Sequence, residues 1–405
     1  MKQISFIHAA DLHLDSPMVG LKHLPASILS RVRESTFIAL QKVTMAAIDH
    51  QVDFVIIAGD LFDGEDRSLR AQSRFRAEML KLLEKDIPVY VIHGNHDHLN
   101  GSWVHLDMPP NVFIFNSKNE IKVLKTKRGD LVHLYGFSYP QRHVFERKID
   151  DYEKVDGADF HIGILHGNEA SGKEHDNYAP FSVKDLLEKQ FDYWALGHIH
   201  KRTILSESPP IVYSGNIQGR NMKEIGVKGC YHVSLKDLDA NMEFVSTSDI
   251  VWEEVTIDVS QAVSFQDIFQ LCQMSINQLR KPAIGTLVRL HIKNVHLEDT
   301  REKGSLEEHL QELLLDNESE EESFVWVVDL RVTEGQPFDR KQLSKEANFY
   351  SELFETVDGY NGVGTALSHL YKHQLGRKYL SDLTEQEQKD VLAKAEKLLI
   401  NLLYQ

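Results

Sequence analysis

Short apolar runs punctuate the first 225 residues at intervals that suit strands: Ile4–Ala10, Asp53–Ala58, Ile87–Ile92, Phe160–Leu165, Tyr193–Leu196 and Ile211–Tyr213. Each is too short for a buried helix. Between the first two, Pro25–His50 carries apolar positions at helical spacing (Ile28, Val32, Phe37, Leu40, Val43, Ala47), and Arg67–Lys85 repeats the pattern with Leu69, Phe75, Met79, Leu80 and Leu83. Segments 112–115, 121–124 and 131–137 read as further strands, and Gly229–Leu235 with Met242–Val245 as a hairpin that completes the core sheet. Alternating strands and helices predict a layered α/β domain.

Beyond it the period changes. Val251–Val259, Phe265–Leu279, Thr286–Ile292, Ser305–Leu315 and Phe324–Val332 read strand, helix, strand, helix, strand, a small α+β module. Ser305 and Glu308 have capping-box spacing, as do Thr384 and Glu387 further on. The run Asp316–Ser323 reads as a solvated acidic loop. Residues 340–405 read as helical, ending in a stripe of Val391, Leu392, Ala395, Leu398, Leu399, Leu402 and Leu403 that either packs on its own domain or docks a partner. The expected divisions are 1–250, 251–338 and a helical segment 339–405.

A net charge of −16 argues at first against a polyanionic partner. Residues 1–225 hold 27 basic and 30 acidic side chains, a balance of −3, whereas residues 226–405 hold 18 and 31, a balance of −13. Two divalent cations would bring the first part to about +1. Histidine is concentrated there too, with 15 of the 21 before residue 226, so the chemistry is expected in that half. No run reaches the roughly 18 apolar residues of a membrane span. MKQISFIHAA lacks the features of a signal peptide, and Cys230 and Cys272 form no motif. A cytoplasmic protein without a membrane association is expected.

Five of the apolar runs end in candidate metal ligands. ISFIHAA leads into Asp11-Leu-His13, DFVIIAG into Asp60-Leu-Phe-Asp63, IPVYVIHG into Asn95-His96-Asp97, HIGIL into His166, and DYWAL into Gly-His198-Ile-His200. In an α/β sheet the loops at the carboxyl ends of the strands converge on one crevice, so residues far apart in sequence can meet. Imidazole, carboxylate and amide donors without thiolate suit Mn, Fe, Zn or similar ions. Two dications against Asp11 and Asp60 leave about +2, a charge that favours a phosphoester over a neutral substrate.

The ordered set DLH, GDLFD, GNHD, HG and GHIH resembles the calcineurin-like metallophosphoesterase superfamily. HAADLHL, the GDLFD form and YSGN after the last motif resemble the SbcD-type DNA repair nucleases, most closely their YhaO-type branch. The likeness covers roughly residues 1–235. It implies a four-layer α/β/β/α sandwich with a smaller α+β capping domain and a helical C-terminal segment. It also implies two divalent ions, Mn first, with Fe, Zn or Mg as alternatives. Asp11, His13 and His200 would hold one ion, Asn95, His166 and His198 the other, and Asp60 both. His96 matches a non-ligand histidine that contacts the scissile phosphate or helps the leaving oxygen depart, and Asp63 the residue that orients it.

The activity implied is a metal-dependent DNA nuclease, an exonuclease of DNA repair or end processing, in which a metal-activated hydroxide attacks phosphorus in line. Homodimerisation and a coiled-coil SMC-like ABC ATPase of SbcC type are the implied partners beside DNA. The chain has no GxxxxGK[ST] loop of its own. Two other readings remain: a phosphatase or phosphodiesterase for small molecules or phosphoprotein, and a non-catalytic scaffold for an ATPase. Asp15 departs from the DxHLG form, where many relatives carry glycine. Arg67, Arg70, Arg74 and Arg76, and Lys122, Lys125, Lys127 and Arg128, form two basic clusters, read as solvated faces before phosphate tracks. His8, His93, His98 and His161 near the motifs read as packed or supporting residues.

Overall fold

The apolar run QISFIHA forms strand β1 (Gln3–Ala9) in a computed structural model of the chain. It describes residues 2–18, 21, 24–64, 67–101, 104, 106–170, 178–237, 239–295, 306–334, 340–346, 348–372 and 383–403. Then follow α1 (Ala26–Asp49), β2 (Phe54–Ala58), α2 (Leu69–Leu83), β3 (Val89–Ile92), β4 (Val112–Ile114), β5 (Glu120–Lys125), β6 (Leu131–Gly136) and β7 (Phe160–His166). After them come α3 (Val183–Glu188), β8 (Tyr193–Gly197), β9 (Thr203–Glu207), β10 (Pro210–Tyr213), β11 (Gly229–Lys236) and β12 (Asp239–Ser246). They build two six-stranded sheets, ordered β12-β11-β1-β2-β3-β4 and β5-β6-β7-β8-β10-β9. Strands β1 to β4 run parallel in the first, and β6, β7, β8 and β10 in the second.

Strand alternation sorts the side chains into layers. Phe54, Ile56 and Ala58 of β2 join Ile162, Ile164 and Ala195 in a core between the sheets. Val55 and Ile57 point the other way, onto Phe37, Leu40 and Val43 of α1 and Phe75 and Met79 of α2. Leu165, Trp194 and Leu196 turn outward onto Leu186 of α3 and Ile149 and Tyr152. Burial on both faces makes these strands read as continuous apolar runs, and the result is a four-layer α/β/β/α sandwich. The edge strand β9 and the short α3 had no sequence signal strong enough to be expected.

The chain divides into two compact units, residues 1–255, 273–290 and 311–330 in one and 256–272, 291–310 and 331–405 in the other. Strands β13 (Ile250–Asp258), β14 (Gly285–Val295) and β15 (Val325–Glu334) form a three-stranded sheet in that order, with α4 (Phe265–Leu279) and α5 (Leu306–Asp316) between them in sequence. Within the first unit, Ile250, Trp252, Leu287, Phe324 and Trp326 pack on Ile28 and Val32 of α1. Arg31 fastens the same region: its Nε and one terminal nitrogen each lie 3.0 Å from the Asp249 carboxylate, which is 5% exposed. Removing one partner leaves a buried charge uncompensated. Arg31→Ala is therefore expected to lower stability by about 2–4 kcal/mol, read from urea unfolding of the full chain.

The acidic run is more than a solvated loop. Glu318 forms a two-pronged pair with Arg280 at 2.7 and 2.8 Å and accepts the Val325 N–H at 3.1 Å. Ser305, read as a helix cap, lies outside the described residues. In the second unit, α6 (Arg340–Glu346), α7 (Asn348–Asp358), α8 (Val363–Ala366), α9 (Ser368–Lys372) and α10 (Glu385–Leu403) follow in turn. Thr384 caps α10 through reciprocal hydrogen bonds with Glu387. The face that α10 buries is set by Ile400 against Leu343 and Phe354, and by Glu396, whose carboxylate accepts from Arg340 at 2.7 Å. Leu398, Leu399, Leu402 and Leu403 are exposed, so the expected stripe does not pack on its own unit there. Among the described residues no helix is long and apolar enough to cross a membrane.

Candidate metal centre

All the candidate ligands stand where parallel strands end. Asp11 and His13 follow β1, Asp60 follows β2, Asn95 and His96 follow β3, His166 is the last residue of β7, and His198 and His200 follow β8. Asp11, His13, Asp60 and His198 all have positive φ, at 50°, 42°, 50° and 98°. Such conformations cost about 1–3 kcal/mol each and persist only where the surroundings enforce them. Here Asp11 N–H donates to Gly59 O (3.1 Å), His13 N–H to Asp60 O (3.0 Å) and His198 N–H to the Asp11 carboxylate (3.0 Å). Gly94 is equally constrained: a Cβ on it would lie 2.3 Å from Asp60 Oδ1 and 2.6 Å from His166 Nε2.

The hydrogen bonds of the imidazoles decide what their free nitrogens need. His13 Nδ1 lies 3.2 Å from Asp63 Oδ1, and His200 Nδ1 lies 2.8 Å from Glu224 Oε1. Burial alone would raise the Asp63 carboxyl, but hydrogen bonds from His13 and Ser16 and the Arg220 guanidinium hold it well below the usual carboxylate range. Burial opposes the Glu224 charge too, and His200 and Arg220 overcome it. Both carboxylates are acceptors, so each ring carries its proton on Nδ1. The bare Nε2 atoms of His13 and His200 then face each other at 3.1 Å, two lone pairs that repel unless they share a cation. Burial, with Arg220 nearby, lowers His13 to about 4, which keeps that ring neutral.

A second group repeats the arrangement. His166 Nδ1 donates to Ala58 O at 3.0 Å, which turns Nε2 toward Asn95 Oδ1 (3.0 Å) and Asp60 Oδ2 (3.4 Å). His198 Nδ1 lies 3.2 Å from the same Asn95 oxygen. Burial disfavours a charged His166, yet Asp60 and Asp11 outweigh it and push the group up to about 9. Acceptors converging on one nitrogen call for a cation, either a proton or a metal ion. Asp60 Oδ2 is also 3.8 Å from His13 Nε2, so this buried carboxylate reaches toward both groups. The donor atoms of Asp11, His13 and His200, and those of Asp11, Asp60 and His166, lie within 4.8 Å of one another, so the residues present fit a pair of ions.

His96 stands beside this cluster, its ring edge-on to His13 with centroids 4.9 Å apart and its Nδ1 3.5 Å from Asp63 Oδ1. All nine residues named from the sequence therefore meet in one place. Two others went unnoticed. Arg220 donates to Asp63 (3.2 Å) and to Glu224 (3.3 Å), and Glu224 also accepts from Asn216 (2.9 Å) and from the Arg220 N–H (2.7 Å). The only trace they left in sequence was their place just after YSGN, four residues apart. Glu224→Ala is expected to weaken Mn²⁺ binding by about 10- to 100-fold, because His200 loses the acceptor that aims it. Calorimetric titration of Mn²⁺ into both proteins measures the change, and equal affinities would count against the assignment.

The remaining candidates have structural partners. His8 contacts Tyr193 Oη (3.0 Å), His93 the Asp97 carboxylate (2.9 Å) and His161 Tyr135 Oη (2.9 Å). Asp15 has φ 63°, a conformation that suits glycine, and accepts from Ser68 and Arg70, both at 2.7 Å. Most of the basic side chains singled out in the sequence have partners. Arg70 and Arg74 pair with Glu34, Arg76 donates to Asp107 O, and Arg67 to the carbonyls of Asp97 and His98. Lys122 pairs with Glu120 and Arg128 with Asp53, both at 2.9 Å.

A sandwich of two mixed sheets with histidine, carboxylate and amide donors gathered at its strand ends defines the calcineurin-like metallophosphoesterases, and the chain belongs to that family, whose model matches residues 4–202. Over 403 residues it is 40% identical to the metallophosphoesterase YhaO of Bacillus subtilis, covering 98% of both chains. It is 25% identical over 341 residues to the DNA double-strand break repair protein Mre11 of Methanococcus maripaludis, 78% of this chain and 88% of that one. With the Mre11 of Thermoplasma acidophilum it shares 26% over 231 residues, 53% of this chain and 57% of its relative. The chain is thus a phosphoester hydrolase by family, of the YhaO-type branch and more distantly similar to Mre11.

Proposed function

We propose that the protein is a metal-dependent DNA nuclease, acting as an exonuclease in DNA repair or end processing. One observation carries the hydrolytic part: His96, which the proposed ligand set does not use, stands against the same Asp63 that supports His13. A scaffold has no use for such a residue. The DNA part rests on the similarity to Mre11, which extends well beyond the metal-binding motifs.

Asp11, His13 and His200 would hold one ion, Asn95, His166 and His198 the second, with Asp60 shared. Mn²⁺ is the first choice for both, a preference taken from the family. When bound, two divalent ions acidify water and offset the charge of a phosphodiester. The protein's part is to hold these donors rigid before substrate arrives, through the backbone hydrogen bonds that pin Asp11, His13 and His198. His96, its Nδ1 turned to Asp63, presents Nε2 to contact the phosphate or give a proton to the departing oxygen. Arg220 joins Asp63 to Glu224, and so ties the support of His96 and His13 to that of His200.

Residues 251–338 are proposed as a capping domain over bound DNA. The four exposed leucines near the end of α10 support docking to a coiled-coil ATPase of SbcC type, and a homodimer is proposed with it. The deciding assay offers the purified protein with Mn²⁺ single- and double-stranded oligonucleotides beside a chromogenic phosphate monoester. Shortening of the oligonucleotides is expected. Turnover of the monoester alone would replace the nuclease by a phosphatase.

A further inference from the structure

Away from the centre just described, His50, His232 and Glu243 form another group of metal-binding side chains in the first unit. His232 and Glu243 are directly paired residues of the antiparallel strands β11 and β12, so the ladder itself sets their side chains beside each other. His232 Nδ1 lies 3.8 Å from Glu243 Oε2. His50 follows the last turn of α1, where its backbone N–H still bonds to Ala46 O, and its ring stacks on His232 with centroids 4.0 Å apart and planes at 30°. Helix end and strand pair are rigid supports, so the cluster is defined by the fold.

Two observations argue that the group awaits a ligand. His232 Nδ1 is buried and has no hydrogen-bond partner, although Glu243 is near. A buried imidazole nitrogen left unmatched costs free energy that a bound cation would recover. The second is spacing. Ligands about 2.1 Å from a common ion stand about 3.4 Å apart in a tetrahedron and at most about 4.2 Å apart. The three donor atoms already lie within 4.8 Å of one another, and both His50 and Glu243 are exposed, so their side chains can make up the remaining distance, at most about 1.4 Å. His50 and His232 line a cleft of about 670 Å³, which gives an ion a path from solvent. Arg128 and Lys127 line the same cleft but are matched by Asp53 at 2.9 Å and Asp86 at 3.8 Å. Burial and the neighbouring His50 lower the His232 pKa, which favours the neutral ring that a metal requires.

We propose that His50, His232 and Glu243 form a further metal site, separate from the candidate catalytic pair, for a transition-metal dication that prefers two imidazoles and a carboxylate, Zn²⁺ in the first instance. Two nitrogens and one oxygen without thiolate select Zn²⁺, Ni²⁺ or Cu²⁺ over Mg²⁺ or Ca²⁺, and leave at least one position open to water or an anion from the cleft. An ion there joins the end of α1 to the β11–β12 hairpin.

The test loads the full-length protein with Zn²⁺, removes unbound metal by gel filtration and measures the metal retained per chain. His50→Ala and Glu243→Gln change exposed side chains, and circular dichroism checks that each variant is folded. Wild type is expected to retain about one equivalent more than either variant, whatever the catalytic pair contributes. Cobalt substitution gives an independent readout: the wild type should show a visible d–d band that weakens in both variants. Equal zinc content and identical cobalt spectra in wild type and variants would overturn the proposal.

Discussion

Asp60→Ala is expected to abolish binding of both ions and nearly all turnover. Asp60 is 1% exposed, its Oδ1 accepts the His96 N–H at 2.9 Å, and its Oδ2 lies toward both His166 and His13. Without it, the two donor groups lose the carboxylate that reaches both, and Asp11 alone would have to offset the charge of two dications. Burial opposes ionisation of Asp60, but His166 and His13 hold it well below the usual carboxylate range, so it is anionic at any working pH. The measurement is metal content per chain after loading with Mn²⁺, beside the rate on oligonucleotides. An Asp60→Ala protein that still retained two ions would contradict the arrangement proposed here.

His96→Ala should separate the two properties that Asp60→Ala removes together. Its ring contacts no donor nitrogen by hydrogen bond; it lies edge-on to His13 and 3.5 Å from Asp63. Asp63 keeps its contacts with His13, Ser16 and Arg220 in the variant, so the donors stay in place. Metal content is therefore expected to match wild type while the rate falls by roughly two or more orders of magnitude, the usual worth of a positioned proton donor. Loss of metal in this variant would move His96 from chemistry to ligation, and an unchanged rate would revive the scaffold reading.

The convergence of the candidate donors was legible because each follows or ends a strand whose apolar run is visible by itself. FVIIA before Asp60 and FHIGIL before His166 need no tertiary context to be read, and the rule that such loops converge does the rest. Arg220 and Glu224 were not legible because they lie on an irregular stretch, and their importance comes from contacts with Asp63, 157 residues away, and His200. The arginines of α2 look like an open basic face in sequence; only the structure brings Glu34 and Asp15 against them. At the C-terminus, helical spacing correctly gave a helix but left open which face packs on its own unit: Ile400 and Glu396 turn inward while the leucines around them do not. Periodicity reports which residues share a face and is silent on which face finds a neighbour.

Both donor groups draw on both sheets. Asp11 and His13 from the first meet His200 from the second, and Asp60 and Asn95 from the first meet His166 and His198 from the second. Each ion, once seated, would act as a rivet through the seam of the sandwich. At a hundredfold excess over its dissociation constant, one such rivet adds about 2.7 kcal/mol against unfolding. A chelator should then do more than silence the enzyme: it should loosen the seam, and amide exchange at the ends of β7 and β8 would quicken before the outer helices come free.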